Sequence, residues 1–213
     1  LLGGVPGVRP ARVLVLGGGI VGSNAAKIAA GLGAQVTILD IDLQRLRYLD
    51  DVMPRNVQGI MSDPATIREL VPTADVVVGS VLVHGGKAPK LLNREHLRAM
   101  EAGSVVVDVA IDQGGSFETS KPTTHENPIY EVEAIVHYCV TNMPGAVPQT
   151  STQALTNATL LYLQQIANQG WKDAVRKNPA IARGLNLAHG QVTYPAVAEA
   201  WNLEAVSPEA VLD

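Results

Sequence analysis

The run Gly17-Gly18-Gly19-Ile20-Val21-Gly22 gathers backbone freedom in one place and fits the spacing G-x-G-x-x-G. Glycine at the first position permits a tight turn. At the third it lets the backbone approach a pyrophosphate, and at the sixth it lets a helix pack close to a strand. The short apolar run Arg12–Leu16 precedes it, and an Ala- and Ile-rich stretch, Ile20–Leu32, follows and stops at Gly33. A second apolar run ends in Asp40, about twenty residues on. This combination suits a dinucleotide: free N–H groups at a helix start meet the phosphates, and the strand-end acid accepts from ribose hydroxyls. A carboxylate there repels a 2′-phosphate, which favours NAD over NADP. A ligand-free glycine turn is the competing reading, and the strand, helix, strand and acid in succession weigh against it. Asp40 as a simple helix cap is weakened because Asp42 can fill that role itself. Arg45, one helical turn along, reads equally well as a contact to the adenosine end or as a solvated arginine.

In an open parallel sheet, ligands bind beyond the carboxyl ends of the strands. That rule selects Ser62, Val81, Leu82, the stretch Val109, Ala110, Ile111 and Asp112, and the loop around Asn142. Asp112 leaves an apolar run into Gln113-Gly114-Gly115, so its carboxylate would stand near a nicotinamide; a loop-capping aspartate is the equal alternative. Asp108, inside the run, reads as structural and bonded to a neighbouring loop. His96 sits beside Arg94, Glu95 and Arg98 and reads as a solvated helix residue, while His84 is a weak candidate at the cofactor edge. His125, His137 and His189 show no spacing for a metal or a triad. HExxH, CxxC and nucleophile-elbow motifs are absent.

The elements that must position these residues alternate. Strands are expected at Arg12–Leu16, Gln35–Asp40, Val57–Ser62, Asp75–Leu82 and Ser104–Ile111. Helices are expected at Ile20–Leu32, Asp42–Asp51, Pro64–Val71 (with Asp63 as N-cap) and Asn93–Met100. Such alternation of buried strands and helices predicts an α/β fold, a doubly wound parallel sheet of the Rossmann type. Then the rhythm breaks: a polar loop Asp112–Pro128, a last strand Glu133–Val140, a loop Thr141–Pro148, a long helix Thr150–Gln169, and short helices to the end. Hydrophobic residues make up 46% of the 213 and charged ones 17%, a globular balance. The net charge of -4 and the lack of a basic cluster argue against nucleic acid. The single cysteine, Cys139, excludes an internal disulfide, and no apolar stretch reads as a membrane span or signal. A soluble, cytoplasmic protein is expected. The chain opens at Leu1, with its first strand some way in, and is expected to be a piece of something longer.

Several stretches carry a more specific resemblance: LLGGVPGV, VLVLGGGIVGSNAAKIAAGLGAQVTILD, GSVLVHGGKAPKL, VVVDVAIDQGGSFETSKPTTH, VTNMPGAVPQTSTQALTNATL and NPAIARGLN. They resemble the alanine dehydrogenase family over nearly the whole chain. The transhydrogenase relatives come second, because the RQDD-type loop associated with them is absent here. The resemblance implies that L-alanine, NAD and water give pyruvate, ammonium and NADH. By it, the cofactor touches Ile20 and Val21, Asp40, Arg45, Ser62, Val81 and Leu82. It also touches Val109 to Asp112, Lys121, and Val140, Thr141, Asn142 and Met143. Asp112 matches a catalytic aspartate that handles proton and water traffic. Lys121 stands where an arginine is also seen, and His84 where a proline is expected. Gln165 and Gln169 occupy places where relatives carry a Glu and a His for a metal, so no metal is expected. The resemblance further implies a nucleotide domain over residues 1–148. Residues 149–213 would be the C-terminal segment of a substrate domain whose N-terminal part is absent here, together with the arginine, lysine and histidine it supplies. The parent protein is implied to be a homo-oligomer, a hexamer. The alternative is a stand-alone NAD(H)-binding module, or a transhydrogenase-type subunit, without amino-acid chemistry.

Overall fold

The computed structural model describes residues 1–83 and 86–212. The chain divides into two compact units: Leu1–Val83 with Ala88–Met143, and His84–Lys87 with the chain from Pro144 onward.

The first unit is built on alternating apolar residues. In β1 (Arg12–Leu16), Val13 and Val15 face one core while Leu14 and Leu16 face another. A strand buried on both sides must lie inside a sheet covered on both faces. Around it come α1 (Ile20–Gly31), β2 (Gln35–Asp40), α2 (Leu43–Val52), β3 (Val57–Met61), α3 (Pro64–Leu70) and β4 (Val76–Gly79). They are followed by α4 (Arg94–Arg98), β5 (Val105–Asp108), β6 (Ile129–Val132) and β7 (Ile135–Tyr138). The strand order is β3-β2-β1-β4-β5-β7-β6, parallel except for the β6–β7 pair. Ala26, Ala29 and Ala30 of α1 and Leu49 of α2 join the Val13/Val15 core. Ile67 of α3 and Leu97 of α4 join the Leu14/Leu16 core with Phe117. The doubly wound fold is therefore present, with its switch point between β1 and β4, where the strand order reverses.

Several expected boundaries are corrected. β4 stops at Gly79 rather than Leu82, and β5 at Asp108 rather than Ile111. The two strands pair only as far as Gly79 opposite Asp108. Val109–Gln113 then turns as a short 3-10 helix, because Asp108 bends back to accept the Ala110 N–H at 3.1 Å. The expected strand Glu133–Val140 is only Ile135–Tyr138, and it is one arm of a hairpin whose other arm, β6, was not expected. Glu133 and Ala134 turn this hairpin at φ 55° and 61°, a conformation usually signalled by Asn-Gly. Glu133 is held there by Arg94 at 3.1 Å and Arg98 at 3.0 Å.

The second unit comprises α5 (Pro148–Gln169), α6 (Trp171–Lys177), α7 (Pro179–Arg183), a small hairpin β8 (Leu187–Ala188) and β9 (Gln191–Val192), and α8 (Pro195–Trp201). Pro148 starts α5 two residues before the expected Thr150, since proline suits the first helical position. No residue of α5 is buried. Among the described residues, no helix is long and apolar enough to cross a membrane.

Candidate functional site

The glycine turn follows from what a Cβ would meet. Gly17 has φ +97° and donates its N–H to Leu39 O at 2.8 Å. A Cβ on Gly22 would lie 1.8 Å from Gly17 O, so α1 starts this close to β1 only because residue 22 is glycine. At Gly19, by contrast, a Cβ would touch nothing within 4 Å. No side chain caps α1, which leaves its first amides, around Ile20 and Val21, open to an anion.

Asp40 is aimed at this turn. One carboxylate oxygen accepts from Gly18 N at 2.7 Å and the other from Asp42 N at 2.9 Å. Asp42, not Asp40, caps α2, accepting from Gln44 N and Arg45 N. Each Asp40 oxygen keeps a further acceptor position for a hydroxyl. Ser62 stands beside it, its N–H donating to Asp40 O at 2.9 Å. Arg45 turns inward: its Nε donates to Gly18 O at 2.5 Å, Nη2 lies 3.4 Å from Gly19 O and 3.3 Å from Ser23 Oγ, and the guanidinium sits over the Tyr48 ring. The arginine thus braces the turn.

At the exits of β4 and β5 two aspartates part company. Asp108 is fully buried and accepts from Ala110 N, Ser116 N (2.7 Å) and Phe117 N, and from the Ser120 hydroxyl. It is the loop-bonding residue expected from its place in the strand. Asp112, in the same 3-10 turn, is exposed, and its side chain makes no hydrogen bond or ion pair among the described residues. Of its neighbours, Ala110 and Ile111 are buried. Val81 packs against the glycine turn, where a Cβ on Gly17 would lie 3.0 Å from Val81 Cγ2, and Leu82 is exposed.

The remaining expected contacts come together on a third strip. Thr123 N donates to Cys139 O at 2.9 Å and Thr141 N to Thr123 O at 3.1 Å, so the segment after Lys121 runs parallel to Val140 and Thr141. Asn142 has φ 54°, and its carbonyl accepts from His125 Nε2 at 3.0 Å; Met143 opens a 3-10 turn. The Lys121 side chain is exposed, while its N–H donates to Tyr130 Oη at 2.7 Å. Tyr130 in turn donates to Thr119 O and stacks on His137 at 4.9 Å. His137 is buried, with Nδ1 at 2.9 Å from Ile135 O and Nε2 at 2.7 Å from Thr119 Oγ1. A carbonyl only accepts, so Nδ1 carries the proton and Nε2 accepts from threonine. Burial pushes this imidazole below its ordinary pKa and the Tyr130 and Cys139 groups above theirs. His137 is therefore a neutral structural residue.

Three residues of the site escaped sequence reasoning. Ser80, after β4, places its hydroxyl 2.9 Å from Leu16 O and 2.8 Å from Gly17 O, pinning the glycine turn. Lys90 Nζ donates to the carbonyls of Gly114 (2.6 Å), Gly115 (2.8 Å) and Phe117 (3.0 Å). Gln113 pairs with Val83 through its side chain. Only a small hydroxyl one residue past a central strand could have pointed to Ser80. His96 caps α4 reciprocally with Asn93, and His84 lies outside the described residues. Among the described residues no cluster of three or more His, Cys, Asp or Glu could hold a metal. Gln165 accepts from Asn178 at 2.8 Å and Gln169 from Lys177 at 3.3 Å.

A glycine turn at the switch point, an acid at the neighbouring strand end and an exposed carboxylate two strands along define a doubly wound α/β domain of the kind that can hold a dinucleotide. Residues 1–195 match the family model described as alanine dehydrogenase/PNT, C-terminal domain, and the chain belongs to that family. An alanine dehydrogenase of Methanococcus maripaludis is 56% identical over 214 residues, covering 100% of this chain and 57% of the relative. One from Halomonas elongata is 54% identical over 212 residues, again covering 57% of the relative. A solved L-alanine dehydrogenase superposes with a TM-score of 0.84 at 51% identity, covering 95% of this chain and 56% of the other. A transhydrogenase from Sinorhizobium meliloti follows at 0.71 and 25%, covering 89% and 51%. The chain thus spans about 57% of the length of the curated relatives it matches.

Proposed function

We propose that the crevice beyond the carboxyl ends of β1, β4 and β5 binds NAD(H), within an enzyme that oxidatively deaminates L-alanine to pyruvate and ammonium. The division of labour between two aspartates carries the reading. Asp108 does the loop bonding, which leaves the exposed Asp112 carboxylate with no structural task. Identity to alanine dehydrogenases over the whole chain supplies the substrate. The residues fit the cofactor: Gly19 faces open space, the α1 amides are uncapped, and Asp40 has acceptor positions to spare. Bound nicotinamide would supply the hydride acceptor. Asp40 would take the adenosine ribose hydroxyls, with Arg45 and Ser80 holding the turn that lies against the phosphates. Asp112 would accept and return protons as the amino group becomes an imine and water replaces nitrogen. Val81, Leu82, Val109, Lys121 and Val140 to Met143 would line the crevice. By the same resemblance, residues 149–213 belong to a substrate domain, and the parent protein is a cytoplasmic homohexamer without a metal.

Titrating NADH and NADPH against wild type and Asp40→Ala tests the cofactor. NADH should bind in clear preference, and the substitution should weaken it about ten- to a hundred-fold, the size of a lost charged hydrogen bond. Equal wild-type affinity for both cofactors would overturn the assignment.

A further inference from the structure

The loop that carries Asp112 does not stand alone. The Gln113 side-chain amide faces Val83 as a strand would: Nε2 donates to Val83 O at 2.7 Å, and Oε1 accepts from Val83 N at 3.2 Å. The Gln113 main-chain carbonyl accepts from Ala88 N at 2.9 Å. One residue therefore ties the Asp112 turn to the chain on both sides of residues 84–87. Lys90 reinforces the tie from the far side, spending all three ammonium protons on the carbonyls of Gly114, Gly115 and Phe117. Val83 directly follows Val81 and Leu82, and Val81 packs on the Gly17 turn.

From this we infer that Gln113 is a positioning residue that locks the β4 exit to the β5 exit, so that the wall at Val81 and the carboxylate of Asp112 form one unit. The inference rests on the functional reading above. Both backbone groups of Val83 are met by a donor and an acceptor side by side, and a primary amide supplies the two together. Gln113 touches no reacting atom. It acts through Asp112, because an acid–base group displaced by about 1 Å from its near-attack position loses up to a hundred-fold in rate.

The experiment uses full-length protein, wild type beside Gln113→Ala and Gln113→Glu. It measures the melting temperature, the Kd for NADH and kcat with saturating alanine and NAD. Gln113→Ala should keep NADH affinity within about threefold and lower kcat about ten- to a hundred-fold. Gln113→Glu loses the donor when ionised and regains it when protonated. Single-turnover hydride transfer in that variant, taken relative to wild type at each pH, should therefore recover as pH falls through the carboxyl range. A purely structural role would instead lower the melting temperature and NADH affinity in step with kcat, with no recovery in acid. That outcome, or unchanged kcat in both variants, overturns the inference. If Gln113→Ala does not fold, the acid recovery of Gln113→Glu decides. A wild type that binds NADH but leaves NAD unreduced with alanine sinks the functional reading first, and this inference with it.

Discussion

The two units of this chain use apolar residues in opposite ways. In the sheet unit, Leu16, Ile38, Leu39 and Phe117 are almost completely hidden, each contributing roughly 1.5–3 kcal/mol of burial. In the second unit, α5 carries Leu155, Leu160, Leu161 and Leu163, all exposed, and buries nothing. A strand reading RVLVL states both that it is buried and how, since alternate residues must meet two layers. An apolar helix states only that something should cover it. Local chemistry thus writes the glycine turn and its strand-end acid into the sequence, whereas α5 depends on contacts that its sequence does not name.

The largest effect that would break this comparison lies at Asp112. In full-length protein, Asp112→Asn keeps the shape and removes the charge. With no hydrogen bond from Asp112 to lose among the described residues, the fold should be untouched. Turnover with alanine should fall about 10²–10⁴-fold, as expected for lost acid–base assistance, while NADH binding stays close to wild type. A near-normal kcat would return Asp112 to the status of a loop residue.

Next in size is a pair of glycines. Gly22→Ala puts a Cβ 1.8 Å from Gly17 O, backbone against backbone, and should destabilise the sheet unit by about 3 kcal/mol. Gly190→Ala, in the second unit, meets nothing within 4 Å and pays only for φ +76°, about 1 kcal/mol. Urea unfolding of both variants measures the contrast. Equal losses would mean that the helix start is not held as tightly as the geometry says.

Those glycines also mark where sequence reading succeeds. The fingerprint, Asp40 at a strand end, and Asp42 and Asp63 as caps are legible because each works within a few residues of itself. β6 was missed because its turn, Glu133-Ala134, has no glycine or asparagine and is held instead by two arginines from α4. The β5 exit reads as strand in the sequence because Val109–Ile111 stays apolar after the pairing with β4 has ended. Ser80, Lys90 and Gln113 were out of reach, since each acts on backbone brought close only by folding.

A smaller effect comes from pH. His137 is buried beside Thr119 and Ile135, and burial lowers its pKa from the ordinary value of 6.5. Between the lowered and ordinary values the unfolded chain binds more protons than the folded one. The His137 contribution to stability is therefore complete above about pH 6.5 and is lost as pH falls through the folded value. Melting curves from pH 7.5 to 5 should show a fall in melting temperature that His137→Phe reduces. An identical acid branch in the variant would place the sensitivity elsewhere.

The smallest expected effect sharpens the comparison most. Leu161 on α5 is 66% exposed and Leu16 on β1 is 1% exposed, yet both are leucines in regular structure. Leu16→Ala removes atoms from a filled core and should cost about 2–5 kcal/mol, because the lost transfer energy and the cavity add. Leu161→Gln removes apolar surface that already meets water, and glutamine is as good a helix former, so unfolding of this chain should shift by less than about 0.5 kcal/mol. What should change is association. Leu155, Leu160, Leu161 and Leu163 are all exposed on one helix, and apolar surface of this kind favours association. Sedimentation velocity of the two variants against wild type makes the decision. If Leu161→Gln lowers self-association and leaves stability alone, α5 is a helix whose apolar residues await a surface. If it destabilises the chain as much as Leu16→Ala does, α5 is already packed in solution and the contrast between the two units disappears.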